Sequence, residues 1–312
     1  MTTESTKQNR IERLIARFDS LQQRHRTLGF PYAVIKKYGD DQAGYQAALI
    51  AYYGFISLFP LLIVATSAIQ LVTQNSAHFR DMFLSNATSY FPVLGPSLTD
   101  SINTPSKSGV ALIIGLLITL YGTRGLAVVI QHSQDHIWAV ARLKRAGFPR
   151  SLFKGFGIIA WGGLGLILAA SLTGYAAAGQ HFWLFRILLG FAGFIVLFIA
   201  FWGVFTFGSS ARKHPFANIP GAVLTATGLL ILQALGSYLI SHQLRSQTGL
   251  NAQFAIVLAL LFWIYLQAQV FMYGVELNSV RKYKLWPRSI DSRLPLPADE
   301  AAHELYKHRE TF

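Results

Sequence analysis

Apolar residues fill six stretches of this chain with almost no polar interruption, at 47–72, 109–130, 155–178, 182–207, 217–241 and 252–278. Each exceeds the roughly 20 residues that cross a hydrocarbon core about 30 Å thick. Backbone amides in lipid must bond within their own segment, so each stretch is predicted to be a helix. The pattern predicts an all-α integral membrane protein with six transmembrane helices. A weaker, periodic pattern precedes them. Ile11, Leu14, Ile15, Phe18 and Leu21 recur at helical spacing among Arg10, Arg13, Arg17 and Arg24. That predicts an N-terminal amphipathic helix on the inner membrane surface or packed against the bundle.

Three regions follow. Residues 1–46 form a cytoplasmic or interfacial segment, 47–278 the transmembrane domain, and 279–312 a basic tail. The tail is polar beyond Trp286-Pro287 and is expected to be poorly ordered. The longest connection, 73–108, carries Phe91-Pro92 and Gly95-Pro96 and is predicted to cap the outer mouth with a short helix and a turn. Spans three and four are expected to form a tight hairpin around Gly179–His181. Span three concentrates small residues, from Gly155, Gly157, Gly162, Gly163 and Gly165 to Ala170, Gly174 and Ala178. Small residues let helix backbones approach closely, which predicts a place for this span in the middle of the bundle.

Charge fixes an expected orientation. Of 27 Lys and Arg, only Arg80, Lys107 and Arg245 fall on the predicted outer side, with Arg124 and Arg186 inside spans. The positive-inside rule then puts both termini in the cytoplasm. A formal net charge of +13 would point to nucleic acid in a soluble chain. Here the cations sit beside the membrane, where anionic lipid headgroups are the expected partner and nucleic acid is not. No cleavable signal peptide is expected before the first span. The chain has no cysteine, so neither disulfides nor thiolate metal sites arise.

Polar residues within spans are the candidate chemistry, because a charge near a helix centre costs roughly 2.5–3.5 kcal/mol on insertion scales. Arg124 in span two and Gln267 in span six lie at about the same depth, roughly 22 Å from the outer side. They are expected to meet in the inner half of the membrane, or Arg124 snorkels to the inner headgroups. Span six carries the stripe Tyr265, Gln269, Tyr273 and Glu276 on one face, and Glu276 is the only acid within the six runs. A structural pairing with a neighbouring Arg, or a coupling role, fits that carboxylate. In span one, Tyr53, Ser57 and Pro60 share a face, and Pro60 is expected to bend the helix and act as a hinge. After span two, His132-Ser133-Gln134-Asp135-His136 places two histidines four residues apart, echoing a metalloprotease arrangement. No third ligand is identifiable, and an interfacial cluster without zinc is the favoured reading. No phosphate-cradling Gly-Lys-Ser/Thr loop occurs, and no cofactor is expected.

Three stretches carry a resemblance to a known family. They are Ala47-Ala48-Leu49-Ile50-Ala51-Tyr52-Tyr53 with Ser57-Leu58-Phe59-Pro60-Leu61-Leu62, then Asp135-His136-Ile137-Trp138, then Gly274-Val275-Glu276-Leu277-Asn278. They resemble the YihY/virulence factor BrkB family of bacterial inner-membrane proteins. Gly274, Glu276 and Asn278 match its Gly-Ala-Glu-Leu-Asn ending, while Asp135 stands where the family more often has Asn. The resemblance implies six helices, a bacterial inner membrane and candidates for envelope lipid movement or export. An older family label is ribonuclease BN, yet a nuclease needs clustered metal-binding carboxylates or a His-rich site. The expected function is a non-enzymatic transporter or lipid-handling protein with a cavity bounded by spans one, two and six. In it Arg124 meets an anionic headgroup, Glu276 and Gln269 form a polar wall, and Pro60 supplies the bend. The alternatives are a structural scaffold, with a homo-oligomer or an envelope protein as partner, and an interfacial hydrolase using His132, Asp135 and His136.

Overall fold

The structure is a computed structural model of the 312-residue chain and describes residues 19–72, 109–178, 182–211, 214–243, 250–290 and 294–310. Among these residues the regular elements are helical. They are α1 (Arg26–Asp40), α2 (Ala43–Val72), α3 (Gly109–Ile137), α4 (Arg150–Ala178), α5 (Trp183–Gly208), α6 (Ile219–Gln243), α7 (Leu250–Tyr283) and α8 (Pro297–Glu310). Single 3-10 turns occupy Arg142–Lys144 and Pro215–Asn218. The outer connection 73–108, residues 10–18 of the amphipathic pattern and the 179–181 turn lie outside the described residues, as does the side chain of Pro60.

Helices α2 to α7 coincide with the six apolar runs. Among the described residues four stretches are long and apolar enough to cross a membrane: Arg150–Tyr175, Trp183–Gly208, Pro215–Gly236 and Val257–Tyr283. Helices α2 and α3 have comparable lengths of 30 and 29 residues. Several helices outrun their apolar stretch at the same end of the bundle, at the start of α2 and α4 and at the finish of α3 and α7. That end also carries α1 and α8.

Neighbours follow chain order: α2 packs on α3, then α4, α5, α6 and α7 in turn, and α7 returns to α2. The result is an up-and-down ring. At the α1/α8 end all six helices meet in one apolar core, which includes Ile50, Ile137, Ile158, Phe205, Ala222 and Met272. Phe205 and Phe271 pack with ring centroids 5.2 Å apart across the α5–α7 contact, within the range favourable for aromatic pairs.

Two sequence expectations are corrected. The small residues of α4 do not place it in the middle. Gly165 packs on Ala200 and Gly155 on Ala127 and Gln131, while nothing lies within 4 Å of where side chains would start at Gly157 and Gly163. Phe153, Leu164 and Tyr175 are exposed, so α4 is a lipid-facing member of the ring whose small residues serve its edges. The tail, expected to be poorly ordered, folds into α8. Pro297 opens that helix, Asp299 and Glu300 occupy its first turn, and Lys307, His308 and Arg309 its last. Each choice suits the helix dipole and its orphan end groups. Ala302 and Leu305 then pack with Ala33, Val34, Val280 and Leu285 in a second core.

Helices α3 and α7 end alike. Ala139 and Lys284 adopt φ of 50° and 54°, and Val140 and Leu285 donate back to the Asp135 and Val280 carbonyls at 2.9 and 3.0 Å. This is the Schellman closure, which favours glycine in the left-handed position. Because a side chain there costs about 1–2 kcal/mol, Lys284→Gly is expected to raise stability by about 1 kcal/mol. Thermal unfolding in detergent checks this, and a lowered midpoint would contradict the assignment.

Candidate functional site

The Gly274–Asn278 motif of α7 faces two neighbours at once. Gly274 and Asn278, four residues apart, lie on the α6 side. A side chain at Gly274 would collide with Thr225 and the Gly221 carbonyl, and one at Gly221 would collide with Gly274 and Asn278. Asn278 Oδ1 accepts from the Gly221 amide at 2.7 Å. That amide belongs to the first turn of α6, where backbone donors lack partners within their own helix. Asn278 therefore caps a neighbouring helix, and the two glycines give it the approach it needs.

Glu276 points the other way, into α1. It is completely buried, and Oε2 accepts from Lys37 Nζ at 2.9 Å. Lys37 is itself only 1% exposed. Its ammonium also pairs with Asp41 and donates to the Ile137 carbonyl at the end of α3. Three protons thus reach α1, α3 and α7. Burial opposes the charge on Lys37, but Glu276 and Asp41 outweigh it and hold the ammonium above its ordinary range. Asp41 Oδ1 takes Arg309 Nη1 of α8 at 2.8 Å, and the same guanidinium nitrogen lies 2.9 Å from His136 Nε2. A neutral His136 ring with Nε2 unprotonated accepts there. Ser279 donates to the Ile137 carbonyl and Tyr283 to the Trp138 carbonyl, both at 3.2 Å. Two cations and two carboxylates therefore balance in a dry cluster that joins α1, α3, α7 and α8.

A second network ties the two terminal segments together. Asp299 of α8 accepts from Lys36 Nζ at 2.9 Å, Arg288 Nε at 2.8 Å and the Ser289 and Leu296 amides at 2.9 and 3.1 Å. Burial acts against this carboxylate, but those four donors draw it down to about 2. Arg288 also pairs with Asp40 at 2.9 Å, and Asp19 accepts from the Ile290 amide at 2.9 Å. Residues 19–41, 285–290 and 294–310 thus pack as one cap.

The predicted stripe is an interface, not a cavity wall. Tyr273 stacks on Tyr38 of α1 with centroids 4.1 Å apart, and Gln269 donates to the Tyr265 hydroxyl at 2.8 Å. Gln267 turns to another face. With Gln233, Leu197, Leu229 and Trp263 it lines a gap of about 10 Å³, at the lower limit for one water. Arg124 is not brought to it. Leu126 and Ile130 turn into the core, while Arg124 shares an exposed face of α3 with Tyr121 and Leu117. Equal depth did not mean equal azimuth, because each residue turns a helix by 100°.

Tyr53 and Ser57 pack against Gly125 and Gly122 where α2 crosses α3, and Ser57 donates to the Gly54 carbonyl at 2.9 Å. Asp135 is buried and accepts from Ser209 Oγ at 2.9 Å and the Ser210 amide at 2.5 Å, joining the ends of α3 and α5. His132 is exposed and His136 is engaged by Arg309. Among the described residues no three His, Asp or Glu side chains are placed to hold a metal ion. The partner expected for Glu276 was an arginine; the structure supplies Lys37. The signal for it was available. Phe30, Ala33, Val34, Lys37 and Asp41 repeat at helical spacing, and the last two are an i,i+4 ion pair.

A family model for the virulence factor BrkB matches residues 34–293. The chain belongs to the BrkB family. The match takes in Lys37, Asp41 and the Gly274–Asn278 motif; Arg309 lies beyond it. An inner membrane protein of Escherichia coli, YhjD, is 25% identical over 278 residues, covering 80% of each chain. A UPF0761 membrane protein of Stenotrophomonas maltophilia is 26% identical over 296 residues, 87% of this chain and 65% of that one. Another, of Chlorobium phaeobacteroides, is 24% identical over 255 residues, 77% of this chain and 54% of the relative. This chain therefore spans only about two thirds or half of those two relatives. No solved structure matches. With these relatives and its apolar helices, the chain is a multi-pass integral membrane protein.

Removing one partner of a buried ion pair leaves an uncompensated charge, at about 3–5 kcal/mol. Lys37→Met and Glu276→Gln are each expected to lose on that order. The double variant Lys37→Met/Glu276→Gln should lose clearly less than the sum of the two. Unfolding midpoints in detergent check the cycle, and strictly additive losses would contradict direct pairing.

Proposed function

We propose that this protein handles phospholipid at the lipid-facing surface of its ring, without bond-making chemistry and without passing a solute through its centre. The filled core at the α1/α8 end and the engagement of Glu276 in a structural ion cluster support that choice of route. The observation that carries the reading is Arg124. It is exposed on the outward face of α3, and among the described residues it has no carboxylate partner. Eleven residues separate it from Asp135, about 16 Å along the helix. A guanidinium held at that depth is stabilised by drawing water and lipid phosphate inward, which thins the bilayer locally. Two parallel N–H donors fit a phosphate well, and the neighbouring Tyr121 adds a hydroxyl. A headgroup resting there has completed part of its crossing.

The positive-inside pattern supports a cytoplasmic location for the α1/α8 cap and both termini, in the inner membrane of a bacterium. Anionic lipid headgroups on that face are the first partners; a second copy of the chain or an envelope protein would be a further one. A scaffolding role is the second reading. The stitched cap of α1 and α8 favours it, because that surface is rigid and needs no flux to work.

The test is translocation of a headgroup-labelled phospholipid in proteoliposomes, read with a quencher that cannot the membrane cross. Arg124→Gln is expected to slow protein-dependent translocation about tenfold, the worth of one charge-assisted hydrogen bond, with Arg124→Lys in between. Equal rates in folded wild type and Arg124→Gln would remove Arg124 from the mechanism. No protein-dependent translocation in the wild type would contradict lipid scrambling and support the scaffold.

A further inference from the structure

The connection between α3 and α4 is built unlike a soluble loop. Leu143 and Phe148 are each 80% exposed and Phe153, one turn into α4, is 78% exposed. Polar solvent is a poor surrounding for three such side chains on one short segment. Exposed cations alternate with them: Arg142 and Lys144 flank Leu143, and Arg150 lies between Phe148 and Phe153. The other two cations nearby are withheld. Arg145 Nε donates to the Val140 carbonyl at 3.2 Å, and Lys154 Nζ donates to the Ser209 carbonyl at 2.9 Å. The segment therefore sorts its charges, two turned into the protein and three left outward beside the apolar tips.

It is also held in shape. Asp135 binds Ser209 and Ser210, and Ser210 Oγ accepts from the Ala146 amide at 3.3 Å. The Lys144 and Ser151 amides close turns onto the Ala141 and Gly147 carbonyls, each at 2.9 Å. A fixed turn presents its side chains without the ordering cost a flexible loop would meet on binding. The position of the turn suits the same partner. It joins two ring helices at the α1/α8 end, where the helices outrun their apolar stretches, at the level of headgroups.

We propose that residues 142–153 form an anchor for anionic phospholipid. Leu143, Phe148 and Phe153 enter the boundary between headgroups and acyl chains, and Arg142, Lys144 and Arg150 take the phosphates around them. Charge complementarity selects an anionic lipid surface, and the apolar tips select a lipid over a free phosphate. The anchor does not depend on translocation at Arg124 and would serve a scaffold equally. It gives Asp135 a role: by holding Ser209 and Ser210 it sets the angle at which the turn meets the membrane.

Because the chain has no cysteine, single-site variants Leu143→Cys and Phe148→Cys accept a spin label without background. Glu304→Cys on the exposed face of α8 is the aqueous control. In vesicles of phosphatidylethanolamine and phosphatidylglycerol, labels at 143 and 148 are expected to collide more with oxygen than with a water-soluble nickel chelate. The label at 304 should show the reverse. Chelate-dominated collisions at both 143 and 148 would overturn insertion. In parallel, the protein should retain spin-labelled phosphatidylglycerol over phosphatidylcholine. The variant Arg142→Gln/Lys144→Gln/Arg150→Gln should lose that preference by up to about fivefold per cation. An unchanged preference would overturn the anionic half, and competition by inorganic phosphate equal to that by lipid would assign the cations to free anions instead.

Discussion

Lys37 and Glu276 form an ion pair that is almost wholly closed off from water. An isolated charge in such a setting is too costly to keep, so everything that neutralises the pair becomes a condition of folding. Glu276 must reach α1, which fixes the rotation of α7. Lys37 must also reach Asp41 and the end of α3, which fixes where the chain enters the ring. Arg309 completes Asp41 from α8, so the far end of the chain is recruited by the same cluster. The Gly274–Asn278 motif condenses this arrangement into five residues: two ends that close and cap the α6 contact, and a carboxylate between them that anchors α1.

This constraint shapes what the protein can do. A carboxylate committed to an ammonium and a ring filled by Phe205, Phe271 and their neighbours leave little for a solute to pass through at that end. The surfaces with unspent chemistry are outside. Arg124 is exposed on the outward face of α3, and the α3–α4 turn offers cations beside apolar tips. On the readings proposed above the bilayer itself is the ligand, met at two depths: at the headgroups by the turn and within the acyl region by the arginine.

The six long helices were legible because membrane solubility imposes a length and a composition on each segment separately. Relations between segments were less so. Rise per residue assigns Arg124 and Gln267 one depth, yet Arg124 lies on an exposed face of α3 and Gln267 against α5 and α6, which only packing decides. The glycines of α4 signalled close approach but not to which neighbour, and the edge of a ring uses them as readily as a centre. Lys37 disappeared into a tally of basic residues, where a juxtamembrane cation looks like any other. Helix α8 carried its own start and stop signals, but its polar composition resembled a solvated tail because its apolar face is narrow.

Hydrogen exchange along the whole chain, compared between wild type and Glu276→Gln, tests the coupling most directly. If the buried pair organises both terminal segments, α1 and α8 should lose amide protection together, by about the same factor, while the packed helices α4 and α5 keep theirs. Protection of α1 unchanged by Glu276→Gln would mean that the cap is held by its apolar contacts alone and that the ion cluster is incidental to the fold.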